Sequence, residues 1–195
     1  MTSRSEPDRP LADKVVCLGV TGGIAAYKAA ELCSMLVKRG AEVHVLMTAA
    51  ARRFVGELTF ETLSHNPVVT ELFSRSAEHD PEHVALARRA SAVVVAPATA
   101  NILAKMACGI ADDALSTALL TFDCPCFVAP AMNSRMWKHP ATVENVRRLK
   151  ERGVVFIGPA EGPLACRDEE GPGRMAEPAE IVERLVEFFR AGKRS

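Results

Sequence analysis

The sequence has no excess of positive or negative charge. Its 195 residues include 24 Lys and Arg against 24 Asp and Glu, so the formal net charge is zero. Binding to nucleic acids or anionic membranes usually requires a basic excess, so neither partner is expected. Long hydrophobic runs are also missing, and the polar segment Met1–Pro10 lacks the apolar core of a signal peptide. We therefore expect a cytoplasmic protein without a membrane span.

Aromatic residues and paired cysteines are scarce as well. Aromatics make up 5% of the chain, too few for a base-stacking platform. The six cysteines contain no C-x-x-C pair, and we interpret most of them as buried free thiols. Cys124 and Cys126 could still form a redox or metal pair, and His79 and His83 could share a helix face as metal ligands. Neither pair has a further ligand at a suitable spacing, so we expect no metal.

What the sequence does contain is an alternation of apolar runs and helical patterns. With 48% hydrophobic residues, the chain suits one domain, which we place at 13–191 after a disordered arm at 1–12. Because the gaps between the apolar runs are long enough for crossover helices, the pattern predicts a parallel sheet with helices on both faces. The expected fold is a three-layer α/β sandwich of the Rossmann-like, flavodoxin-like kind. Its strands are predicted at Val15–Val20, Glu42–Met47, Ala92–Ala98, Pro125–Pro130 and Val154–Ile157.

Helical patterns fill the segments between these strands. The first helix is expected from Ile24 to Arg39, with Gly40 as its stop. Open parallel sheets bind ligands beyond the carboxyl ends of their strands, so the loops that enter the helices are where a site is expected. Later helices are predicted at Ala100–Cys108, Asp113–Thr121, Ala141–Arg152 and Pro178–Arg190.

A glycine-rich turn follows the first predicted strand, in the segment Gly19-Val20-Thr21-Gly22-Gly23-Ile24. Free N–H groups and the helix dipole at the start of the next helix favour an anion there. The spacing does not match the dinucleotide pattern G-x-G-x-x-G, and Met47-Thr48-Ala49 offers no acid for a ribose. NAD is therefore disfavoured, whereas a mononucleotide such as FMN fits, with the Thr48 hydroxyl nearby. The alternative is that the glycines serve only a tight turn.

Two further strand ends are polar. The segment Ala96-Pro97-Ala98-Thr99-Ala100-Asn101 has small residues that would let a flat ring approach the backbone. The segment Ala129–Trp137 places Asn133, whose amide can donate and accept, within an apolar frame. Both polar residues have an alternative interpretation, because Thr99 and Asn133 are also suitable helix N-caps. Spacing alone leaves the choice open.

Five segments carry a recognisable pattern: Gly-Val-Thr-Gly-Gly-Ile-Ala-Ala-Tyr-Lys (19–28), Pro-Ala-Thr-Ala-Asn (97–101), Gly-Ile-Ala-Asp-Asp (109–113), Pro-Ala-Met-Asn-Ser-Arg-Met-Trp (130–137) and Gly-Pro-Gly-Arg-Met-Ala-Glu-Pro (171–178). Together they resemble the phosphopantothenoylcysteine decarboxylase family, within the homo-oligomeric flavin-containing cysteine decarboxylases. The resemblance covers about 13–190. Many bacterial members continue into a ligase domain, so this chain is expected to be a free-standing form.

The resemblance implies an FMN-dependent enzyme that converts 4′-phosphopantothenoylcysteine to 4′-phosphopantetheine in coenzyme A biosynthesis. The substrate is oxidised to a thioaldehyde, loses CO₂, and the resulting enethiolate is reduced again. FMN would be held by residues at the strand ends described above, namely Gly22, Gly23, Ile24, Thr48, Ala50, Thr99, Ala100, Asn101, Ile102 and Ala131.

The same resemblance implies roles for individual residues. His83 would be the catalytic base, and Asn133 would bind the carboxylate of the cysteine moiety beside Met132. Ala165 and Cys166 would lie on a flap, with Cys166 protonating the reduced intermediate. Without the resemblance, His83 is interpreted as a residue at the start of a helix and Cys166 as a loop thiol. The family also implies a homotrimer or homododecamer, with His83 reaching the flavin of a neighbouring subunit.

One segment departs from the family pattern. Family members usually carry Gly directly after the active-site cysteine, whereas Arg167–Glu170 intervenes here and makes the link longer. This departure leaves the conformation of the flap and the exact substrate open, so a peptidyl-cysteine decarboxylase acting on a precursor peptide is one alternative. A second alternative, from a different functional class, is a flavin-binding regulatory relative without catalysis.

Overall fold

The sheet is built from the predicted apolar runs. The computed structural model describes residues 9–71, 82–163 and 170–192, without the side chains of 82–85. The strand order is β3-β2-β1-β4-β5-β6, and all neighbours pair in parallel. This is the doubly wound order of Rossmann folds, so the predicted Rossmann-like sheet is confirmed. The strands are β1 (Val15–Val20), β2 (Glu42–Met47), β3 (Val68–Val69), β4 (Ala92–Ala98), β5 (Cys126–Pro130) and β6 (Val155–Phe156).

Helices cover both faces of the sheet. They are α1 (Ala26–Lys38), α2 (Glu57–Ser64), α3 (Glu82–Arg89), α4 (Ala100–Cys108), α5 (Ala114–Thr121), α6 (Ser134–Lys138), α7 (Pro140–Glu151) and α8 (Pro178–Gly192), with a 3-10 turn at Ala51–Arg53. One core contains apolar residues of α1, α2 and α8, and the other contains residues of α3, α4, α5 and α7. The predicted three-layer sandwich is confirmed. None of the helices described combines the length and the apolar character needed to span a membrane.

The central strands are buried on both sides. In β4, Val94 packs into the core under α1, while Val93 and Val95 pack into the opposite core. All seven residues of β4 are buried, as expected for a strand whose sequence does not alternate with polar residues. Ligand-binding polar groups in this part of the sheet are therefore placed at the strand ends.

A separate antiparallel hairpin lies beside the loop after β5. It consists of β7 (Ala160–Pro163) and β8 (Glu170–Arg174), and its connection, 164–169, lies outside the described residues. The Met132 N–H donates to the Gly173 carbonyl at 2.9 Å. At Gly171, with φ of +139°, a Cβ would lie 2.9 Å from Ser134 Oγ. This glycine therefore lets the hairpin approach α6 closely.

The packed part of the domain begins before residue 13. Leu11 was expected in the disordered arm, but it is fully buried and its N–H donates to the Arg39 carbonyl at 3.1 Å. Burying a leucine side chain contributes about 1.5–3 kcal/mol, which explains why this residue joins the core. Residues 1–8 of the expected arm lie outside the described residues.

Candidate active site

A crevice opens beyond the carboxyl ends of β1, β2, β4 and β5. β1 and β4 are neighbours in the sheet; β2 and β3 extend it beyond β1, and β5 and β6 extend it in the other direction beyond β4. Doubly wound sheets bind ligands at such a point, where the strand order reverses. The crevice has a cavity volume of about 940 Å³. Twelve residues predicted to bind cofactor or substrate line it: Gly22, Gly23, Ile24, Thr48, Ala50, Thr99, Ala100, Asn101, Ile102, Ala131, Met132 and Asn133.

The glycine turn after β1 packs directly against the loop after β2. A Cβ at Gly22 would lie 2.4 Å from Ala50 Cβ and 2.8 Å from the Ala50 carbonyl carbon. Neither Gly22 nor Gly23 is among the residues with positive φ, so close approach, and not backbone conformation, requires glycine at position 22. No side chain caps α1, which starts immediately after this turn. In this first turn the Ala26 N–H donates to the Gly23 carbonyl at 2.9 Å and the Lys28 N–H to the Ala25 carbonyl at 3.0 Å, so the helix dipole, and not these two N–H groups, favours an anion here.

Hydrogen bonds join this turn to the end of β4. Thr21 is 2% exposed, and its hydroxyl donates to the Pro97 carbonyl at 2.6 Å. The Thr99 N–H donates to Thr21 Oγ1 at 3.3 Å, and Thr99 Oγ1 caps α4 by accepting from the Ile102 N–H. The cap interpretation of Thr99 is thus confirmed, while Thr99 also lines the crevice. Thr21 was given no role by the sequence analysis, although a small polar residue directly after a buried strand was the signal available.

The loops after β2 and β5 complete the walls. Thr48 Oγ1 accepts from the Ala51 N–H at 3.2 Å, which fixes the turn that carries Ala50. The Ala131 N–H donates to the Ala98 carbonyl at 3.0 Å. Asn133 caps α6 through Oδ1, which accepts from the Arg135 N–H at 2.7 Å. The cap interpretation of Asn133 is therefore confirmed too, and the cap orients the residue on the crevice wall.

A lysine and two carboxylates lie at the α4–α5 side of the crevice. Lys105 Nζ donates to Asp112 at 2.5 Å and to Asp113 at 2.7 Å. Burial disfavours the charged form of Lys105, but these two bonds outweigh it and raise the pKa above its usual value. Burial also acts to raise the pKa of Asp113, yet hydrogen bonds from Lys105 and Ser116 lower it overall. This ion pair was not predicted from the sequence; Lys105 and Asp113 both line the crevice.

A second charged group joins α1 to the loop between β8 and α8. Lys28 Nζ donates to both carboxylate oxygens of Glu177 at 2.9 Å, which holds the pKa of that carboxyl below its usual value. Arg174 Nη2 donates to Glu177 Oε1 at a longer 3.3 Å. Lys28 and Arg174 line the crevice. Lys28 follows Ile24 by one helical turn, which was a usable signal; no local pattern pointed to Arg174.

Three predicted residues are not placed in the crevice by the described structure. His83 lies in α3, but its side chain is outside the described part of the chain. Ala165 and Cys166 lie in 164–169, also outside the described residues. Their predicted roles stay predictions.

The cysteines that the structure describes are free thiols. Burial raises the pKa of Cys17 and Cys126 to about 12 and that of Cys33 to about 11, so these thiols stay protonated near neutral pH. Within 9–71, 82–163 and 170–192, no three His, Cys, Asp or Glu side chains are grouped to hold a metal ion. His79 lies outside these ranges.

Comparison with known proteins places this crevice in a family context. The family model described as Flavoprotein matches residues 4–190. The coenzyme A biosynthesis bifunctional protein CoaBC of Vibrio parahaemolyticus is 46% identical over 180 residues, which are 92% of this chain and 45% of that protein. The chain thus spans about half the length of the curated relatives it matches.

Two solved structures superpose closely. A cysteine-to-serine mutant of PPC decarboxylase, complexed with pantothenoylaminoethenethiol, has a TM-score of 0.82 and 32% identity, covering 91% of this chain and 98% of its own. The FMN-dependent cysteine decarboxylase SpaF has a TM-score of 0.80 and 32% identity, covering 92% and 99%.

Proposed function

This chain belongs to the Flavoprotein family, and on that basis we propose that it binds FMN and decarboxylates 4′-phosphopantothenoylcysteine to 4′-phosphopantetheine. The observation that carries the proposal is the convergence of four strand-end loops on one crevice, in a chain that superposes on PPC decarboxylase. The relatives named above include one bifunctional protein of coenzyme A biosynthesis and one FMN-dependent cysteine decarboxylase.

The crevice suits a mononucleotide. Its glycine turn packs so closely on Ala50 that a Cβ at Gly22 has no room, and the uncapped start of α1 faces the same space. β2 ends at Met47 and Thr48 follows it, so the acidic residue that a dinucleotide ribose would need is missing there. FMN would be held by Gly22–Ile24, Thr48 and Ala50, and by the remaining predicted residues Thr99, Ala100, Asn101, Ile102 and Ala131.

Bound FMN would supply the reversible two-electron chemistry that a plain cysteine carboxylate lacks. The chain's own residues would then orient the substrate and move protons. Asn133, fixed by its cap on α6, would donate an amide hydrogen bond to the substrate carboxylate, and Met132 would exclude water beside it. His83 would hold the proton exchanged in the first step, because an imidazole titrates near neutral pH. Cys166, next to Ala165, would donate the last proton.

The test is a direct assay of decarboxylation. Protein loaded with FMN is incubated with 4′-phosphopantothenoylcysteine, and mass spectrometry follows the loss of one CO₂ to give 4′-phosphopantetheine. FMN-free protein is the matched control. We expect the product only with the loaded protein; purified protein that neither contains nor takes up FMN, or loaded protein that releases no CO₂, contradicts the proposal.

A peptidyl-cysteine decarboxylase is the second candidate. The similarity to SpaF, at 32% identity, equals that to PPC decarboxylase, and the link Arg167–Glu170 departs from the pattern of the coenzyme A enzymes. A peptide ending in cysteine, offered in the same assay, distinguishes the two. Turnover of the peptide alone would favour this candidate. A purely regulatory relative would bind FMN and turn over neither compound.

We also propose a homotrimer, or a dodecamer built from trimers, in the cytoplasm. Apolar side chains at the crevice support an oligomer, because Ile24, Tyr27 and Met136 line it while remaining 60%, 59% and 48% exposed. Light scattering of the loaded protein measures the mass, and a fully active monomer would contradict the proposal. Cell fractionation tests the location.

A further inference from the structure

Arg174 has more hydrogen-bonding capacity than the described residues use. It lines the crevice, and its side chain is 42% exposed. Its Nε is buried and has no hydrogen-bond partner within 9–71, 82–163 and 170–192, while Nη2 makes the 3.3 Å bond to Glu177. A guanidinium carries five N–H donors in one plane. Because Nε is buried, an anion that enters the crevice would be bound by the Nη1 and Nη2 donors.

Glu177 is shared between Arg174 and Lys28, so it does not fully neutralise the charge of the Arg174 guanidinium. Lys28 is closer to the carboxylate, with 2.9 Å bonds to both oxygens, and its side chain is only 13% exposed. Two cations thus share one carboxylate, and the cluster has a formal charge of +1. Because Lys28 holds Glu177, Arg174 keeps charge and donors available for a ligand.

Arg174 lies where the substrate, and not only the cofactor, would share the crevice with its guanidinium. It ends β8, and Nη1 would lie 3.5 Å from a Cβ at Gly162 on β7, so the guanidinium packs over the hairpin backbone. The preceding Gly173 accepts from the Met132 N–H. This bond connects Arg174 to the loop that carries Asn133, the residue assigned to the substrate carboxylate. A substrate held by Asn133 would therefore lie in the same crevice as the guanidinium.

We propose that Arg174 binds the phosphoryl group of the substrate and makes the site selective for phosphorylated cysteine derivatives. The planar fork of a guanidinium matches a phosphate monoester in a bidentate manner. The inference rests on the proposed function. FMN is also a phosphate monoester, so the test separates the two sources of phosphate.

The experiment compares two substrates in FMN-loaded protein. Initial rates are measured with 4′-phosphopantothenoylcysteine and with pantothenoylcysteine, which lacks the phosphate, and FMN affinity is measured by fluorescence. In Arg174→Gln we expect the ratio of kcat/KM for the phosphorylated over the unphosphorylated substrate to fall about tenfold or more, the loss typical of a charged hydrogen bond. Glu177→Gln removes the competing carboxylate and should raise the same ratio.

A matched control is available on α8. Arg184 forms an ion pair with Glu187 at the same three-residue spacing, 3.1 Å long, outside the crevice. Arg184→Gln should leave the ratio unchanged. Equal losses on both substrates in Arg174→Gln, an unchanged ratio, or a fall in FMN affinity of similar size would each overturn the proposal.

A different result would show that the proposed function itself is wrong: the parent protein would release no CO₂ from either substrate. Calorimetry with 4′-phosphopantothenate and pantothenate then tests the site without turnover. Preferential binding of the phosphorylated compound that is lost in Arg174→Gln supports the site, and equal binding of the two compounds overturns it.

Discussion

Replacing Gly22 by alanine tests how the glycine turn and the β2 loop form the crevice. The added Cβ would lie 2.4 Å from Ala50 Cβ and 2.8 Å from a backbone carbon. Carbon atoms pack at about 3.5–4.0 Å, so the two loops must separate by roughly 1 Å. Because one of the contacted atoms belongs to the backbone, no side-chain rotation can relieve the contact. Overpacking of this kind costs about 1–3 kcal/mol.

A smaller effect acts in the opposite direction. Alanine restricts the unfolded chain and stabilises by about 0.4–1 kcal/mol where its backbone conformation is allowed. The expected net loss is about 1–2 kcal/mol, which corresponds to a fall in Tm of about 2–8 °C for a domain of this size. Gly23 is the matched control, because a Cβ there meets only Thr99 Cγ2 at 3.8 Å.

Thermal unfolding of FMN-free protein measures the steric effect, and fluorescence titration measures FMN affinity. We expect Gly22→Ala to lower Tm and to weaken FMN binding, since both loops move away from the cofactor. Gly23→Ala should keep or slightly raise Tm. Equal Tm values for the parent and both variants would refute the steric argument, and parental FMN affinity in a destabilised Gly22→Ala would refute the link to the cofactor.

Four further predictions concern the assigned residues. Asn133→Asp keeps an oxygen for the Arg135 N–H and should fold normally, but its negative charge opposes the substrate carboxylate, so anaerobic substrate should no longer bleach the flavin absorbance; bleaching at the parental rate would contradict this. Cys166→Ser should release CO₂ and leave the flavin bleached, because the assigned proton transfer comes after decarboxylation, and normal repeated turnover would exclude the assigned role. His83→Asn should bind FMN but lose turnover. Parental activity in a steady-state assay would contradict the assignment of His83 as the catalytic base. The pKa of Asp113 is lowered in the folded state, so its contribution to stability is present above the unfolded pKa of about 4 and is lost as pH falls through the lower folded pKa. The free energy of urea unfolding should therefore depend less on pH in that acidic range for Asp113→Asn than for the parent protein. Identical pH profiles for the two proteins would rule the effect out.

The bounds of helices and strands were predicted well where nearby residues mark both the start and the end of the element. β1, β2 and β4 have the predicted bounds because each is a short, mostly apolar run rich in valine that lies between polar or turn residues. α4 also has its predicted bounds, since Thr99 caps its start and Gly109 ends it in the left-handed conformation. α2, β3 and the β7–β8 hairpin were not predicted. β3 pairs through only two residues, Val68 and Val69, which is too short for any periodicity to be visible.

The amino-acid sequence by itself determined which loops form the crevice. Buried parallel strands leave polar groups only at their ends, so a glycine turn after β1, Thr99 after β4 and Asn133 after β5 had to meet at one edge of the sheet. These features belong to short segments, and the residue types and their order within each segment are enough to predict them. The match of all twelve described residues to the crevice follows from that regularity.

Only the tertiary structure decided which distant side chains share charge and hydrogen bonds. Thr21 and Pro97 are 76 positions apart, and Lys28 and Glu177 are 149 apart. Their contacts depend on the strand order, which places β1 beside β4, and on the docking of α8 and the hairpin against α1 and the β5 loop. No local pattern encodes those distances, because a side chain can be paired with any segment until the sheet and its two helical layers have assembled.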